Sequence, residues 1–222
     1  MSYDNIKFFS TPTPFRHLGF FPDQSPHWDW AAKKITDFIT NSKTKAPPKI
    51  LNLFGYSGLA SLHAASNGAS VTHIDASKKA INFAFENRDL SNLSKAPIKY
   101  LTDDAMKFVN REIRRNNKYD AIILDPPKFG RGPNGEKWEI SKDLPILLNL
   151  LPKILSDKPL FVILNSYAIR SSCLSLHYLL KEVMEGYNGN CECGEISIIE
   201  EQAQPRQIST AIFARWESMF FS

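Results

Sequence analysis

Three cysteines in 222 residues, Cys173, Cys191 and Cys193, are too few to build a disulfide framework. Two of them stand as Cys-x-Cys, which in a strand places both thiols on one face without enough partners for zinc, so no metal site is expected. No apolar run reaches roughly 18 residues, the least that a membrane-spanning helix requires. The first residues, Met1-Ser2-Tyr3-Asp4-Asn5, lack the charged-then-apolar pattern of a secretion signal. A cytosolic protein with no membrane partner is therefore the expectation. Internal repeats and low-complexity tracts are absent, which excludes solenoids and arrays. Glycine is sparse at 10 residues, and none of them forms the G-x-G-x-x-G of dinucleotide oxidoreductases. Neither sign of charge dominates: 27 Lys and Arg against 23 Asp and Glu leave a net +4, which permits a polyanionic partner without demonstrating one.

The stretch that is present and organises the chain is Lys49 to Gly58, KILNLFGYSG. Its apolar run ending at Phe54 suits a central parallel strand covered on both faces. Gly55 and Gly58 then read as a tight turn into a helix, letting the backbone approach a ligand closely. In open α/β sheets ligands sit beyond the carboxyl ends of the strands, where helix N-terminal amides point. A plain strand-turn-helix with nothing bound is the alternative.

Upstream, residues 6–30 combine Phe8, Phe9, Phe15, Phe20, Phe21, Trp28 and Trp30 with Pro12, Pro14, Pro22 and Pro26. That mixture predicts irregular or short extended structure and a candidate flap. Helical spacing of Ala31, Ala32, Ile35, Phe38 and Ile39 predicts a helix from about Trp28 to Thr40, closed by a linker over 41–48. The expected division is an N-terminal flap and helix, 1–45, and a ligand-binding domain, 46–222.

Downstream, a helix over Leu59–Asn67 ends at Gly68, and Ser70–Ile74 reads as a second strand finishing at Asp75. Asp75 lies twenty residues after Gly55, where doubly wound nucleotide-binding sheets place a carboxylate against ribose hydroxyls; a solvated strand-end aspartate is the alternative. Ser77 reads as the cap of a helix to about Leu90. Pro97–Leu101 forms a third strand, and of Asp103 and Asp104 one caps the next helix, leaving the other for a ligand's amino group or for solvent. A fourth strand, Tyr119–Leu124, delivers Asp125-Pro126-Pro127 to the same edge. The two prolines fix the backbone and remove two donors, so the Asp125 carboxylate and the exposed carbonyls are expected to face the crevice as acceptors. A chain-turning Pro-Pro is the alternative. The loop to Glu139 is long and rich in Gly, Lys and Arg, a candidate substrate loop. Leu144–Leu155 reads as a helix, Leu160–Leu164 as a fifth strand, Cys173–Met184 as a helix, and Glu195–Glu200 with Thr210–Arg215 as a closing antiparallel hairpin. The order predicts an α/β, Rossmann-like, doubly wound seven-stranded mostly parallel sheet.

The segments LNLFGYSG, HIDASKKA, FENRDL, DDAMKFV and ILDPPKFGRG, in that order and spacing, resemble class I S-adenosylmethionine-dependent methyltransferases. Within that class they are similar to the group related to bacterial 23S ribosomal RNA large-subunit methyltransferases that modify cytosine C5 or guanine N7. The resemblance spans roughly residues 15 to 216. It implies S-adenosyl-L-methionine as cofactor, with Phe54, Gly55, Tyr56 and Ser57 along its methionine part, Asp75 on the ribose with Ala76 and Ser77 beside it, and Asp104 and Ala105 at the adenine. Gln24, in Phe20-Phe21-Pro22-Asp23-Gln24, would approach from the flap side. Asp125, Pro126 and Pro127 would face the methyl group and its acceptor, and Lys128, Phe129, Arg131 and Tyr167 would meet the substrate, with RNA the implied partner.

Two departures shape the expectation. Cytosine-C5 chemistry requires a cysteine thiolate that adds to the ring, and where the relatives carry it, after the fifth strand, this chain has Asn165-Ser166-Tyr167. Cys173, eight residues past Asn165, falls in the next predicted helix and reads as an inert packing residue. The relatives usually carry an N-terminal RNA-binding domain or extension, whereas about twenty residues precede Gln24 here, so RNA affinity is expected from the domain itself, through Lys128, Arg131, Lys137 and Lys142 on the loops, or from a partner. The expectation is nucleobase methylation without a covalent cysteine intermediate. A small-molecule or protein acceptor, or a cofactor-binding domain without catalysis, remain the alternatives.

Overall fold

The computed structural model describes residues 1–12, 18–42, 46–202 and 204–220. A short hairpin, β1 (Ser2–Tyr3) and β2 (Ile6–Lys7), precedes α1 (Ser25–Asn41). There follow β3 (Lys49–Leu53), α2 (Leu59–Ser66), β4 (Ser70–Asp75), α3 (Lys78–Leu90), β5 (Ile98–Thr102), α4 (Ala105–Arg114) and β6 (Ala121–Leu124). The second half contributes β7 (Phe129–Arg131), β8 (Lys137–Glu139), α5 (Ile140–Leu150), β9 (Phe161–Ser166), α6 (Cys173–Val183), β10 (Gly189–Ile199) and β11 (Gln207–Ser218).

The main sheet has seven strands in the order β10-β11-β9-β6-β3-β4-β5. Strands β9, β6, β3, β4 and β5 run parallel, and β11 pairs antiparallel to both β9 and β10. The expected seven-stranded, doubly wound sheet with a closing antiparallel hairpin is the sheet observed. From β3 the chain winds outward through β4 to β5, then returns to β6 on the other side of β3. That reversal makes the β3/β6 boundary the topological switch point, where a crevice opens.

Strand alternation divides the core between the two faces. Leu51, Leu53, Ile122, Leu124, Val162 and Leu164 face α4, α5 and α6, whereas Ile50, Ala121, Ile123, Phe161 and Ile163 face α1 and α2. Burial on both faces explains why these strands read as continuous apolar runs.

Several boundaries differ from the sequence expectation. Helix α1 begins at Ser25, because Pro26 fits a first helical turn, where no amide donor is needed. Helix α5 begins at Ile140 and carries Pro145 inside it. The long loop before it is not irregular: β7 and β8 pair as a second hairpin, Phe129↔Glu139 through Arg131↔Lys137. The closing hairpin is twice the expected length, running from Gly189↔Ser218 to Ile199↔Gln207 with a bulge at Ile196/Ser197.

In the aromatic-rich N-terminal segment, Ile6, Phe8, Phe20 and Trp28 pack with Leu59 and Leu62 of α2. Asn87 of α3, fully buried, ties that segment to the turn after β3: its Oδ1 accepts from the Phe9 amide (2.9 Å) and its Nδ2 donates to the Ser57 carbonyl (2.9 Å). Pro14 and Phe15 of the expected flap, and the Lys43-Thr44-Lys45 part of the expected linker, lie outside the described residues. Among the described residues no helix is long and apolar enough to cross a membrane.

Candidate active site

The turn from β3 into α2 takes Phe54 (φ 59°), Tyr56 (φ 47°) and Gly58 (φ 85°) into the left-handed region. Two non-glycine residues there carry strain that surrounding contacts must hold, a condition that gathers at functional sites. Part of the hold comes from Asp75 at the end of β4. Its Oδ2 accepts from the Tyr56 amide (2.9 Å) and its Oδ1 from the Ser77 amide (2.8 Å). A carboxylate oxygen has two acceptor positions, so each keeps one for a ligand hydroxyl. Burial pushes this carboxyl above its usual range, and the two amide bonds pull it back.

The glycines turn out to serve the protein interior as well as the backbone path. A Cβ at Gly55 would overlap the ring of His73, which lies beneath the turn, and a Cβ at Gly58 would come within 2.9 Å of Ala84 Cβ. His73 belongs to a buried chain in which Asn52 Nδ2 donates to Ser61 Oγ (2.9 Å) and Ser61 Oγ meets His73 Nδ1 (2.9 Å). Burial pulls the imidazole down to about 3, so it is neutral.

At the end of β5 the two aspartates divide their roles. Asp104 caps α4 by accepting from the Lys107 amide (2.9 Å). Asp103, the aspartate left over from capping, is ion-paired with Arg111 in the last turn of α4 and accepts from the Asp104 amide (2.9 Å). Ser77 caps α3 as expected, accepting from the Ala80 amide (3.2 Å).

Asp125 follows β6, and Asn165 lies at the end of the neighbouring β9. Because Leu124 pairs with Leu164, the two following side chains meet: Asn165 Nδ2 donates to Asp125 Oδ1 (2.7 Å). Burial raises the Asp125 carboxyl to about 6, with the Asn165 bond opposing the rise and nearby Asp23 adding to it. The expected exposure of the proline carbonyls is only partly met, since the Pro127 carbonyl accepts from Trp138 Nε1 of β8 (2.7 Å). That bond pins the β7–β8 hairpin over the site, and Trp138 in turn packs on Phe54, ring centroids 4.8 Å apart.

Two cavities meet at this edge. The larger, about 260 Å³, is lined by Phe54, Tyr56, Asp75, Ala76, Ser77, Asp104 and Ala105 among the expected cofactor residues, and by Asp125, Pro127, Arg131 and Tyr167 among those expected at the acceptor. The smaller, about 60 Å³, brings Gln24 to Gly55 and Ser57. Phe21, Phe54, Tyr56 and Asp125 border both. Three expected residues lie elsewhere: Pro126 is buried and lines neither cavity, whereas Lys128 and Phe129 stand exposed on the hairpin outside. Lys142, expected to bind RNA, is paired with Glu139 (2.6 Å). Phe21, His27, Asn52, Trp138 and Asn165 in its donor role were not legible as site residues. The one available signal for Asn165 was its position, one residue past the end of a buried strand run.

A doubly wound sheet with a carboxylate at the end of its second parallel strand, a strained turn after its first, and an acidic Asp-Pro-Pro edge at the switch point defines the Rossmann-like nucleotide-cofactor class. Comparison with known proteins narrows it. The family described as "Conserved hypothetical protein 95" matches residues 26–134. The crystal structure of the S-adenosylmethionine-dependent methyltransferase from Agrobacterium tumefaciens superposes with a TM-score of 0.91 at 46% identity, covering 98% of this chain and 69% of that one. Ribosomal RNA large subunit methyltransferase K/L from Shewanella frigidimarina is 36% identical over 135 residues, 60% of this chain and 18% of the relative. The Shewanella oneidensis protein of the same name gives 36% over 135 residues, with the same coverage of 60% and 18%. The chain thus spans 18% of the length of these curated relatives. It belongs to the S-adenosylmethionine-dependent methyltransferases.

Proposed function

We propose that this chain transfers a methyl group from S-adenosyl-L-methionine to a nitrogen of an RNA base, ribosomal RNA being the favoured substrate, without a covalent cysteine intermediate. The observation that carries the reading is the Asp125–Asn165 pair at the switch point. It presents an oriented carboxylate acceptor, held by an asparagine from the stretch where C5 chemistry would need a thiol.

The residues present fit the cofactor. Asp75 keeps an open acceptor on each oxygen for ribose hydroxyls. Ala105 and the apolar walls of the larger cavity suit a nucleobase, and the smaller cavity holds buried polar atoms that have no partner among the described residues. When bound, the cofactor supplies a methyl group on a sulfonium, already activated for transfer. The chain's own task is alignment and exclusion of water. Asp125 accepts a hydrogen bond from an N–H of the base and takes up the proton that the nitrogen releases. A carboxyl raised to about 6 is a better proton acceptor than an ordinary aspartate. Tyr167, its ring centroid 6.1 Å from Phe21, offers a stacking face at the cavity mouth. Stacking of a base on an aromatic ring contributes roughly 1–3 kcal/mol. Outside, Phe129 is 64% exposed with Lys128 Nζ 5.6 Å from its ring centroid, a surface for a flanking nucleotide.

Incorporation of labelled methyl from S-adenosylmethionine in a cell extract, with and without ribonuclease, tests this reading. Loss of the label with ribonuclease supports it, and persistence points to a small-molecule or protein acceptor.

A further inference from the structure

We propose that His27 and Asn165 hold the amino-acid end of the cofactor, the imidazole N–H donating to its α-carboxylate and the Asn165 carboxamide oxygen accepting from its α-ammonium. The inference rests on the cofactor reading above and assigns two residues that the sequence motifs do not reach.

The argument starts from orphaned atoms. His27 is 4% exposed and Asn165 1% exposed, and both line the smaller cavity. Among the described residues neither ring nitrogen of His27 has a hydrogen-bond partner, and neither does Asn165 Oδ1, whose amide Nδ2 is already committed to Asp125. A buried polar atom left unpaired costs roughly 1–3 kcal/mol, and folded proteins retain few of them. Two such side chains on the walls of one 60 Å³ space are explained by a ligand that completes them.

The chemistry of the pair selects that ligand. A neutral imidazole offers one donor and one acceptor, and a carboxamide oxygen is an acceptor only. Burial, with a smaller contribution from Arg215, pulls the His27 imidazole down to about 3, so the ring is neutral. Donor and acceptors together match a zwitterion, carboxylate and ammonium on one carbon, better than they match an anion or a hydrocarbon. The ring is also held in place before any ligand arrives: Phe213 of β11 meets it edge-on, centroids 5.0 Å apart. Phe54 and Tyr56 of the strained turn border this space and the larger cavity alike, so the two adjoin there.

One consequence separates this assignment from a merely structural role. Asn165 touches the amino-acid end through Oδ1 and Asp125 through Nδ2, so occupancy of the small cavity fixes the carboxamide that orients Asp125.

Calorimetric titration with S-adenosylhomocysteine and with 5′-methylthioadenosine, which lacks the amino-acid end, tests the proposal on wild type, His27→Leu, His27→Gln and Asn165→Leu. Loss of a hydrogen bond to a charged group predicts about tenfold or greater weakening of S-adenosylhomocysteine by His27→Leu and Asn165→Leu. Binding of 5′-methylthioadenosine should stay within about twofold, and His27→Gln, which restores a donor, should recover most of the affinity. Equal weakening of both ligands, or unchanged S-adenosylhomocysteine affinity in His27→Leu, overturns the assignment while leaving the cofactor reading intact. Failure of wild type to bind S-adenosylhomocysteine at all overturns the cofactor reading and this inference with it. If a leucine variant does not fold, the ligand contrast in His27→Phe and Asn165→Ser, each of which removes the proposed contact, decides by the same criteria.

Discussion

Asn165 Nδ2 lies 2.7 Å from Asp125 Oδ1, joining the ends of two adjacent parallel strands across the mouth of the crevice. The bond leaves the second carboxylate oxygen of Asp125 for an acceptor substrate, and it comes from the position where a C5 enzyme would keep its nucleophile. From it follows a division of labour between the two site carboxylates. Asp125→Ala should reduce turnover by about a hundredfold or more, the usual scale for a general base, while changing cofactor affinity little. Asp75→Ala should weaken cofactor binding about tenfold or more, since each lost hydrogen bond to a charged group is worth roughly 1.5–3 kcal/mol. Equal losses of binding in the two variants would contradict that division.

The raised carboxyl of Asp125 makes a second prediction, on stability. The native state keeps the proton up to about pH 6, whereas in the unfolded chain it is lost near the ordinary value of 3.8. Between those values the native state binds more protons, so this group lowers folding stability as pH rises, with the full cost present above pH 6. Asp125→Asn retains an oxygen for Asn165 and removes the titration. It should be more stable than wild type by about 2–3 kcal/mol near pH 8, from the size of the shift, and should match it below pH 4. Denaturant melts at the two pH values measure the difference. An advantage that does not depend on pH would count against a buried, titrating Asp125.

Gly55 is needed because of the ring beneath it. Gly55→Ala would drive a methyl into His73 and should cost about 1–3 kcal/mol or more, the range for overpacking a tight site. Gly55→Ala combined with His73→Ala should be less destabilised than the sum of the single variants, which a double-mutant cycle on thermal unfolding reads directly. Additive losses would show that the glycine answers to some other constraint.

Trp138→Phe removes the indole donor to the Pro127 carbonyl while keeping an aromatic against Phe54. The expected loss is about 1 kcal/mol of stability, with a rise in KM for the acceptor larger than any change in cofactor affinity, because the hairpin over the acceptor side loses its pin. A change confined to cofactor affinity would contradict the placement of the hairpin on the acceptor side.

Much of this architecture was readable because it is written in local pattern. Continuous apolar runs such as Ala121–Leu124 and Phe161–Leu164 mark strands buried on both faces, and Ser77 and Asp104 are residues whose capping chemistry is local. The parts that were not readable depend on distant partners. Nothing near Asn165 in the chain announces Asp125, forty residues away, and nothing near Gly55 announces the His73 ring. The β7–β8 hairpin was hidden because its strands are three residues each, too short for alternation to register, and its fixing bond joins Trp138 to a proline carbonyl. Which of Asp103 and Asp104 caps α4 was open in the sequence, because the ion pair that engages Asp103 with Arg111 depends on the turn between β5 and α4 placing both on one side.

The most direct measurement is transfer of labelled methyl from S-adenosylmethionine to total RNA from cells lacking this gene, followed by digestion and identification of the labelled nucleoside by mass. The account predicts a single nucleoside methylated on a base nitrogen, absent when Asp125→Ala replaces wild type. Label on C5 of cytosine, or no label in RNA from a sample that binds the cofactor, would contradict it.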